Sequence, residues 1–344
     1  MDSVRLPAQR CDMKKIVLVL TNSKDGEHSD IVITKLRARD ENVVRFDSDL
    51  LASGALRVRI GAGNDTFKVN LHSSEFILDP GDIKSVWYRR PLFFNSSIKD
   101  RVQREYAESE LANLLLGLML IFPKNAFWMN HPANLDRARL KIPQLRLAQE
   151  LGFTIPRTLV TNDPDEARAF FDACDGKMVF KAINRETMDY GSWHLNVPTT
   201  LVTEQHLDKI GLVRRLPSLF QETIEKQAEI RVTIVGNQLF PVRVEPKQGS
   251  PDGVDWRHPE TLARLTHEST TLPADIEVRC FALAKTLGLE FGAIDLVVTR
   301  NGQLIFLEIN PNGQWYWIEH LTGVLISDAI ADKLSLAETS TERR

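Results

Sequence analysis

The stretch FGAIDLVVTRNGQLIFLEIN, residues 291–310, decides the fold because two apolar runs of strand length flank an Asn-Gly pair. Asn-Gly between apolar runs is a strong signal for a two-residue hairpin turn of type I′. Such a turn places three apolar pairs on one face of the hairpin: Ile294 with Ile309, Leu296 with Leu307, and Val298 with Ile305. A uniformly apolar face supports this register, because a slip by one residue would move every side chain to the other face.

The opposite face of the same hairpin is polar at one end. Asp295 falls directly opposite Glu308, and Asn310 lies two residues further along that face. Opposed residues have Cβ atoms roughly 5 Å apart, and like charges at that separation destabilise a sheet. A divalent cation would offset the repulsion, and magnesium commonly binds one or two protein carboxylates together with substrate phosphates. The pattern therefore predicts a magnesium site, although a solvated polar face would have the same alternation.

Composition excludes several classes of protein. The chain has 344 residues, 43% hydrophobic and 26% charged, with a net charge of −3, so we expect no nucleic-acid partner. The longest apolar run, residues 114–122, is far shorter than the ~18–20 residues of a membrane span, and the N-terminus lacks the apolar segment of a signal peptide. Three scattered cysteines fit a cytoplasmic protein. Eight histidines without an HxH or HExxH motif argue against zinc.

Alternating strands and helices indicate an α/β (α+β) fold. KKIVLVL, a helical pattern at residues 31–39 and NVVRF form a βαβ opening, but the first loop has no GxGxxG motif, which disfavours a Rossmann dinucleotide site. We expect an N-terminal α/β domain at 1–128, a central domain at 129–220, a C-terminal domain with the polar hairpin at 221–336, and a polar tail at 337–344.

Two lysines are candidate phosphate-binding residues. Lys181 ends the apolar strand MVFK, and Lys141 lies in a helical pattern at residues 134–152. Taken singly, each is more simply a solvated side chain, since lysine reaches water readily. Pro143 lies inside the same helical pattern and predicts a kink or a restart of the helix near Lys141.

An ordered set of polar residues between Asn130 and Leu334 resembles the pattern of the ATP-grasp ligases. In chain order the set comprises Lys141, Lys181, the segment Gln221, Glu222, Thr223 and Ile224, then Glu229 with Arg231, and finally Asp295, Glu308 and Asn310. The resemblance implies an ATP-grasp fold behind an N-terminal domain of the pre-ATP-grasp kind. It also implies that the lysines hold the α- and β-phosphates and that residues 221–224 bind adenine through the backbone. Glu229 would lie near the ribose, and the two carboxylates with Asn310 would hold two magnesium ions.

Other stretches are similar to the graspetide synthetases, the microviridin-type maturases of ribosomal peptides. They are NPNGQWYWIE, the DWR that ends at Arg257, the VWYRRP that contains Arg89 and Arg90, and KIPQLRLAQELGFTIPRT. This resemblance implies an ATP-dependent macrocyclase that phosphorylates Asp or Glu side chains of a precursor peptide. Thr or Ser hydroxyls or Lys amines of that peptide then form ω-esters or ω-amides. The implied partner is a precursor with a leader and an acidic, Thr-rich core, and Arg89, Arg90 and Arg257 are candidate substrate contacts. A homodimer is left open.

The resemblance has two departures: Pro143 lies where a helix-forming residue is expected, near Lys141, and the loop over the phosphates is poor in glycine. Many ATP-grasp enzymes have a glycine-rich loop over the phosphates, whereas the matching stretch here, NRETMDYGSW, contains only Gly191. We therefore assign no backbone phosphate contacts to it. Two other functions stay open: an ATP-grasp ligase that joins a free amino acid or amine to a carboxylate, and a nucleotide-binding module without catalysis.

A cationic clamp for the acyl phosphate is the last expectation. Arg231 and Arg243 lie on the two strands of a hairpin whose turn contains Gly236 and Asn237. A two-residue turn would put the arginines on opposite faces, whereas a three-residue turn ending at Gln238 would set them directly opposite each other. We expect the three-residue turn, with Arg231 at the γ-phosphate and Arg243 at the acyl phosphate.

Overall fold

The computed structural model describes residues 15–61, 68–72, 77–78, 80–91, 98–183, 187–189, 194–247 and 265–336. The chain divides into two compact units, Met1–Met129 with Ser327–Arg344, and Asn130–Ile326. The division into three domains stays a prediction. In the part of the chain that the structure covers, no helix combines the length and apolar character that crossing a membrane requires.

The helices are α1 Gly26–Ala38, α2 Asp49–Ala52, α3 Arg101–Leu120, α4 Pro132–Ala138, α5 Lys141–Glu150, α6 Pro164–Ala173, α7 Glu204–Leu207, α8 Ala274–Leu287, α9 Tyr316–Thr322 and α10 Ile326–Ser335. Short 3-10 turns occur at Pro80–Asp82 and Ile210–Arg215. The strands of the first unit are β1 Ile16–Thr21, β2 Asn42–Asp47, β3 Arg57–Gly61, β4 Lys68–His72, β5 Ile77–Leu78, β6 Ile83–Tyr88 and β7 Phe127–Met129. Those of the second are β8 Thr158–Thr161, β9 Met178–Lys181, β10 Thr187–Asp189, β11 His194–Asn196, β12 Thr200–Leu201, β13 Ser218–Glu222, β14 Lys226–Val235, β15 Gln238–Pro246, β16 Leu265–Ser269, β17 Phe291–Thr299 and β18 Leu304–Asn310.

The first unit is built on a parallel sheet of strand order β2-β1-β6-β7, beside an antiparallel sheet β3-β4-β5. Every residue of β1 is buried, as expected for a continuous apolar run in a parallel sheet covered on both faces. The predicted βαβ opening is therefore confirmed, with α1 beginning at Gly26 rather than at residue 31. Helix α10 closes this unit, and Ser85 of β6 donates to the Leu334 carbonyl at 2.9 Å.

The second unit contains two larger antiparallel sheets and the small β10-β11 pair. One sheet has the order β12-β9-β13-β8, and the other has the order β16-β15-β14-β17-β18. The even-numbered side chains of β14, from Ala228 to Ile234, are buried with Ile294 and Phe306 on one face of the five-stranded sheet. That face is the hydrophobic core. The other face carries the polar residues that the sequence singles out.

Helices α4 and α5 occupy the region, residues 134–152, in which the sequence predicts one interrupted helix. Helix α4 ends at Ala138 and α5 begins at Lys141, so Pro143 lies in the first turn of a new helix. Proline is tolerated there because first-turn N–H groups have no partner within the helix. Of the two effects expected of Pro143, a kink or a restart, the structure shows a restart. His131, not Asn134, caps α4, and the Asn134 amide instead donates to the Gly288 carbonyl.

Candidate functional site

The candidate site lies on the polar face of the five-stranded sheet, within the second unit. Arg231 of β14 pairs in register with Asp295 of β17, and Asp295 pairs with Glu308 of β18. Three neighbouring strands therefore place a guanidinium and two carboxylates in one row across the sheet. Asn310 lies on the same face, paired in register with Ala293. The predicted opposition of Asp295 and Glu308 is confirmed.

The predicted turn of this hairpin is wrong. Thr299 N donates to the Gln303 carbonyl at 3.0 Å, so the loop has three residues, and its last residue, Gly302, takes a φ of 82°. Leu296 pairs with Phe306 rather than Leu307, because the register shifts between Asp295 and Leu296. One extra residue in β18 therefore compensates for one extra residue in the loop. Such a bulge also re-aims side chains, and Leu307 lines the cavity described below instead of packing in the core.

Asp295 is held by a buried ion pair. Arg231 Nη1 donates to Asp295 Oδ1 at 2.7 Å, and both residues are 5% exposed. Arg231 Nη2 also donates to the Gln314 carbonyl at 3.3 Å. The loop that follows β18 passes so close to this guanidinium that a Cβ on Gly313 would lie 2.6 Å from Arg231 Nη2. Glycine at 313 is therefore a steric requirement of this site.

Glu308 also has a cationic neighbour. Lys141 Nζ, at the start of α5, lies 3.7 Å from Glu308 Oε2. The two side chains keep 13% and 24% of their surface exposed, respectively, so a ligand can reach both. Lys141 and Arg231 together offset the repulsion between the opposed carboxylates, a role that the sequence argument gave to a metal alone.

The oxygen donors of the row suit a magnesium ion. Glu308 and Asp295 offer carboxylate oxygens, and the Asn310 amide oxygen lies beside them, where it also accepts from the Asn312 N–H at 3.0 Å. Hard divalent cations prefer such ligands. Among the described residues no three or more His, Cys, Asp or Glu side chains gather into a metal cluster. A magnesium ion here would draw further ligands from a substrate such as a nucleotide, and the donor set fits that use.

A cavity of about 710 Å³ adjoins the row, between the two larger sheets of the second unit. Its polar lining includes Lys181 and Glu229, and its apolar lining includes Val179, Val244 and Leu307. Glu229 Oε1 accepts a hydrogen bond from Lys226 Nζ at 2.5 Å. A cavity of this size, apolar at one side and charged at the other, suits a nucleotide.

The segment from Gln221 to Ile224 forms one wall of that cavity. Gln221 is 2% exposed, and its side chain donates to Thr158 Oγ1 at 3.0 Å. The N–H groups of Glu222 and Thr223 donate to neighbouring chain segments, at 3.0 and 2.8 Å. The Glu222 carboxylate accepts from Arg157 Nε at 2.6 Å. Ile224 is the first residue beyond these pairings, where the backbone leaves the sheet at the cavity wall.

The expected pairing of Arg231 with Arg243 is wrong. Val235 pairs with Gln238, so the turn at Gly236 and Asn237 has two residues. Arg231 then faces Val242, while Arg243 points to the opposite face and forms an ion pair with Glu245. The arginines consequently lie on different faces of the sheet, and the geometric argument for Arg243 at the acyl phosphate no longer holds.

Of the three arginines predicted to contact substrate, two lie in the described part of the chain. Arg89 belongs to the first unit, is 1% exposed, and has its Nε 3.5 Å from Asp25 Oδ2. Burial lowers the pKa of Arg89 to about 10, with Arg90 adding to the effect and Asp25 opposing it. Burial likewise lowers the pKa of Arg90. Arg257 lies outside the described residues.

Two buried amides were missed in the sequence. Gln144 and Asn130 are each 3% exposed. Gln144 bonds to the backbone of Ile309 in β18, and Asn130 bonds to backbone groups at the start of β17 and just after β18. Asn130 Oδ1 accepts from the N–H groups of Glu290 and Phe291, and its Nδ2 donates to the carbonyls of Phe291 and Pro311. A lone Asn or Gln in a helical or loop pattern looks like a surface residue, and only the long-range contact reveals its role.

Known proteins resemble this chain in sequence and in fold. Residues 16–136 match the family described as the MvdD pre-ATP grasp domain. The macrocyclase MdnC of Microcystis aeruginosa MRC, solved with its precursor peptide MdnA, is 31% identical with a TM-score of 0.82, covering 93% of this chain and 99% of that one. A RiPP-associated ATP-grasp ligase of Chryseobacterium gregarium, solved with ADP and a leader and core peptide, is 28% identical with a TM-score of 0.83, covering 93% and 96%.

A second group of relatives has a different activity. A probable alpha-L-glutamate ligase of Enterobacter sp. (strain 638) is 27% identical over 202 residues, which cover 58% of this chain. The match spans only 64% of the length of that curated relative. The similarity is therefore partial.

Proposed function

Because this chain belongs to the ATP-grasp macrocyclases, the graspetide synthetases, we propose that it is an ATP-dependent macrocyclase of a ribosomal precursor peptide. The observation that carries the proposal is the row of Arg231, Asp295 and Glu308 beside the 710 Å³ cavity. Cationic side chains, carboxylate oxygens and a cavity large enough for a nucleotide lie together there, which supports the proposal.

The nucleotide occupies the cavity with its base against the apolar wall. Val179, Val244 and Leu307 pack against adenine, and the backbone near Ile224 bonds its edge. Lys181 and Lys141 neutralise the phosphates as point charges. Glu229 lies between these ends and accepts from the ribose hydroxyls. This orientation directs the γ-phosphate toward Glu308.

Asp295, Glu308 and Asn310 would hold two magnesium ions. Bound there, magnesium neutralises the phosphate oxygens and orients them for transfer. The chain's own contribution is to position the donors. Arg231 holds the Asp295 carboxylate in place, because the pair is buried and bonded at 2.7 Å. Lys141 adds a positive charge beside Glu308.

The reaction uses no protein nucleophile. An oxygen of an Asp or Glu side chain of the peptide attacks the γ-phosphorus, ADP leaves, and an acyl phosphate forms. A Thr or Ser hydroxyl, or a Lys amine, then attacks the carbonyl carbon, loses its proton, and expels phosphate. Catalysis in such a transfer is mainly positioning and charge neutralisation, which the lysines and Arg231 provide. Each ring removes one water from the peptide.

A second candidate is transfer of a free glutamate, favoured by the partial likeness to glutamate ligases. The two functions share the nucleotide site and differ in the attacking group. A macrocyclase uses an amine or hydroxyl of the same peptide, and a glutamate ligase uses a free amino acid. The mass of the product separates them, because cyclisation lowers the peptide mass and addition raises it.

The test incubates the protein with ATP, magnesium and a test peptide that carries a leader and a Thr- and Glu-rich core, and follows peptide mass. We expect loss of one water per ring, without incorporation of added labelled glutamate. Glu308→Gln keeps the side-chain shape but removes a charge, so it should abolish product and leave the thermal unfolding temperature close to that of the wild type. Glutamate addition would support the ligase alternative. Normal product from Glu308→Gln would refute the metal assignment.

A further inference from the structure

Strand β18 is the outer strand of its sheet, so the backbone groups on its free side need partners from elsewhere. Buried N–H and C=O groups without partners are costly, and exposed strand edges invite unwanted pairing. Two contacts cover this edge. Phe306 N donates to the Thr154 carbonyl at 2.8 Å, and the Gln144 side chain of α5 meets Ile309.

At Ile309 a side-chain amide makes the two hydrogen bonds that the backbone of a neighbouring strand would otherwise make. Gln144 Nε2 donates to the Ile309 carbonyl at 2.9 Å, and Gln144 Oε1 accepts from the Ile309 N–H at 3.1 Å. Both residues are buried, at 3% and 1% exposure. Gln144 Nε2 also donates to the Ala138 carbonyl at the end of α4. One amide therefore joins α4, α5 and β18.

Ile309 lies between two of the proposed metal ligands. Side chains alternate along a strand, so Glu308 and Asn310 both project from the face opposite the Ile309 side chain. Hydrogen bonds to the Ile309 N–H and carbonyl hold the backbone at this position. They therefore also fix the directions in which the side chains of Glu308 and Asn310 project. Gln144 is also one helical turn from Lys141, whose ammonium group lies 3.7 Å from Glu308.

We propose that Gln144 is a positioning residue that couples the nucleotide-binding end of α5 to the metal-binding end of β18. The proposal rests on the proposed function, because it assumes that Glu308 and Asn310 bind the metal. Gln144 touches neither substrate nor metal. Its function is to hold Lys141, Glu308 and Asn310 in one arrangement.

Glutamine suits this position because it donates and accepts with one planar group. An ionised glutamate would accept from the Ile309 N–H, but it would face the carbonyls of Ile309 and Ala138 with a negative charge. Methionine keeps the length of the side chain but removes both the hydrogen-bond donor and the hydrogen-bond acceptor. Gln144→Glu and Gln144→Met thus test the same contact with different chemistry, and either one suffices if the other does not fold.

The experiment measures manganese binding to the ADP-bound protein by electron paramagnetic resonance, together with ADP affinity without metal and the unfolding temperature. Changes outside the first ligand shell typically weaken metal binding ~10- to 100-fold, and we expect at least about tenfold for both variants. ADP affinity without metal should fall less, through displacement of Lys141. Asn134→Ala is the matched control, because that side chain also bonds a distant backbone carbonyl, that of Gly288, but does not contact β18.

The outcomes separate the inference from the function it rests on. If the Gln144 variants unfold at lower temperature but bind manganese like Asn134→Ala and the wild type, Gln144 is only structural and the inference is wrong. If Glu308→Gln binds manganese normally, the metal assignment itself fails, and the coupling role fails with it. Weak binding in Glu308→Gln and in both Gln144 variants, with normal binding in Asn134→Ala, supports the inference.

Discussion

Arg231 is the residue on which the charge balance of the site depends. Its buried guanidinium bonds Asp295 and the Gln314 carbonyl, so the carboxylate nearest the sheet centre is already compensated without a ligand. Removing one partner of a buried ion pair typically costs about 3–5 kcal/mol, because the other charge stays buried. Of the two opposed carboxylates, Glu308 is therefore the more accessible.

Arg231→Lys should reduce peptide dehydration far more than Arg243→Lys. Lysine keeps the charge of Arg231 but cannot reach both Asp295 and the Gln314 carbonyl in the planar geometry of a guanidinium. Arg243 faces Glu245 on the other side of the sheet. The measurement is the rate of water loss from the peptide by mass spectrometry for both variants. A larger loss in Arg243→Lys would restore the clamp that the sequence predicted.

Lys141→Ala and Lys181→Ala should each weaken ADP binding by about tenfold or more, the effect expected for losing one charged contact of ~1.5–3 kcal/mol. The loss for Lys141 should shrink when magnesium is present, because a bound cation then compensates the Glu308 charge that removal of Lys141 leaves exposed. Calorimetric titration of ADP with and without magnesium measures both effects. Unchanged affinity in both variants would show that neither lysine contacts the nucleotide.

At the scale of elements, the two hairpins show how much of a strand pair can be predicted from local residue patterns. The Asn-Gly signal and the apolar alternation predicted β17, β18 and the opposition of Asp295 with Glu308. The prediction succeeded although the loop is one residue longer, because a bulge at Leu307 restores the register. A bulge depends on what the side chain packs against, here the cavity wall, and no local pattern encodes that.

The other hairpin failed for a related reason. Gly236 followed by Asn237 permits a two- or a three-residue turn, and the expectation chose the turn that gathered two arginines. Pairing in the sheet decides otherwise, because the two-residue turn buries Val242 and Val244 in register with their neighbours. The Gln144 contact was equally hidden, since its partner Ile309 lies far along the chain.

At the scale of the whole molecule, the sequence predicted the fold class, the βαβ opening and an interruption of the helical pattern by Pro143. Those features depend on apolar periodicity and on proline and glycine, which act locally. The positions of Arg89 and Arg90 depend on how the first unit packs, and burial of Arg89 could not be predicted from VWYRRP. Their assignment as substrate contacts stays a prediction.

The first unit should lose stability as the solution becomes acidic. Burial, with Arg89 and Arg90 nearby, lowers the pKa of His28 from 6.5 to about 3. Below pH 6.5 the unfolded chain binds a proton at this residue that the folded chain excludes until about pH 3, so acidification through this range favours unfolding.

His28→Gln removes that titration, so its stability should fall less than that of the wild type between about pH 7 and about pH 5. Urea unfolding of both proteins at the two pH values measures the difference. An equal fall in both proteins would show that other groups, and not His28, set the acid sensitivity.

The central claim is that a peptide carboxylate is activated as an acyl phosphate at the row of Arg231, Asp295 and Glu308. The most direct measurement uses a precursor peptide whose side-chain carboxylates carry heavy oxygen, with ATP and magnesium, and determines by mass spectrometry where the label goes. We predict that each ring formed releases one phosphate containing one heavy oxygen atom, because the carboxylate oxygen leaves with the phosphoryl group. Cyclised peptide accompanied by unlabelled phosphate would contradict the account.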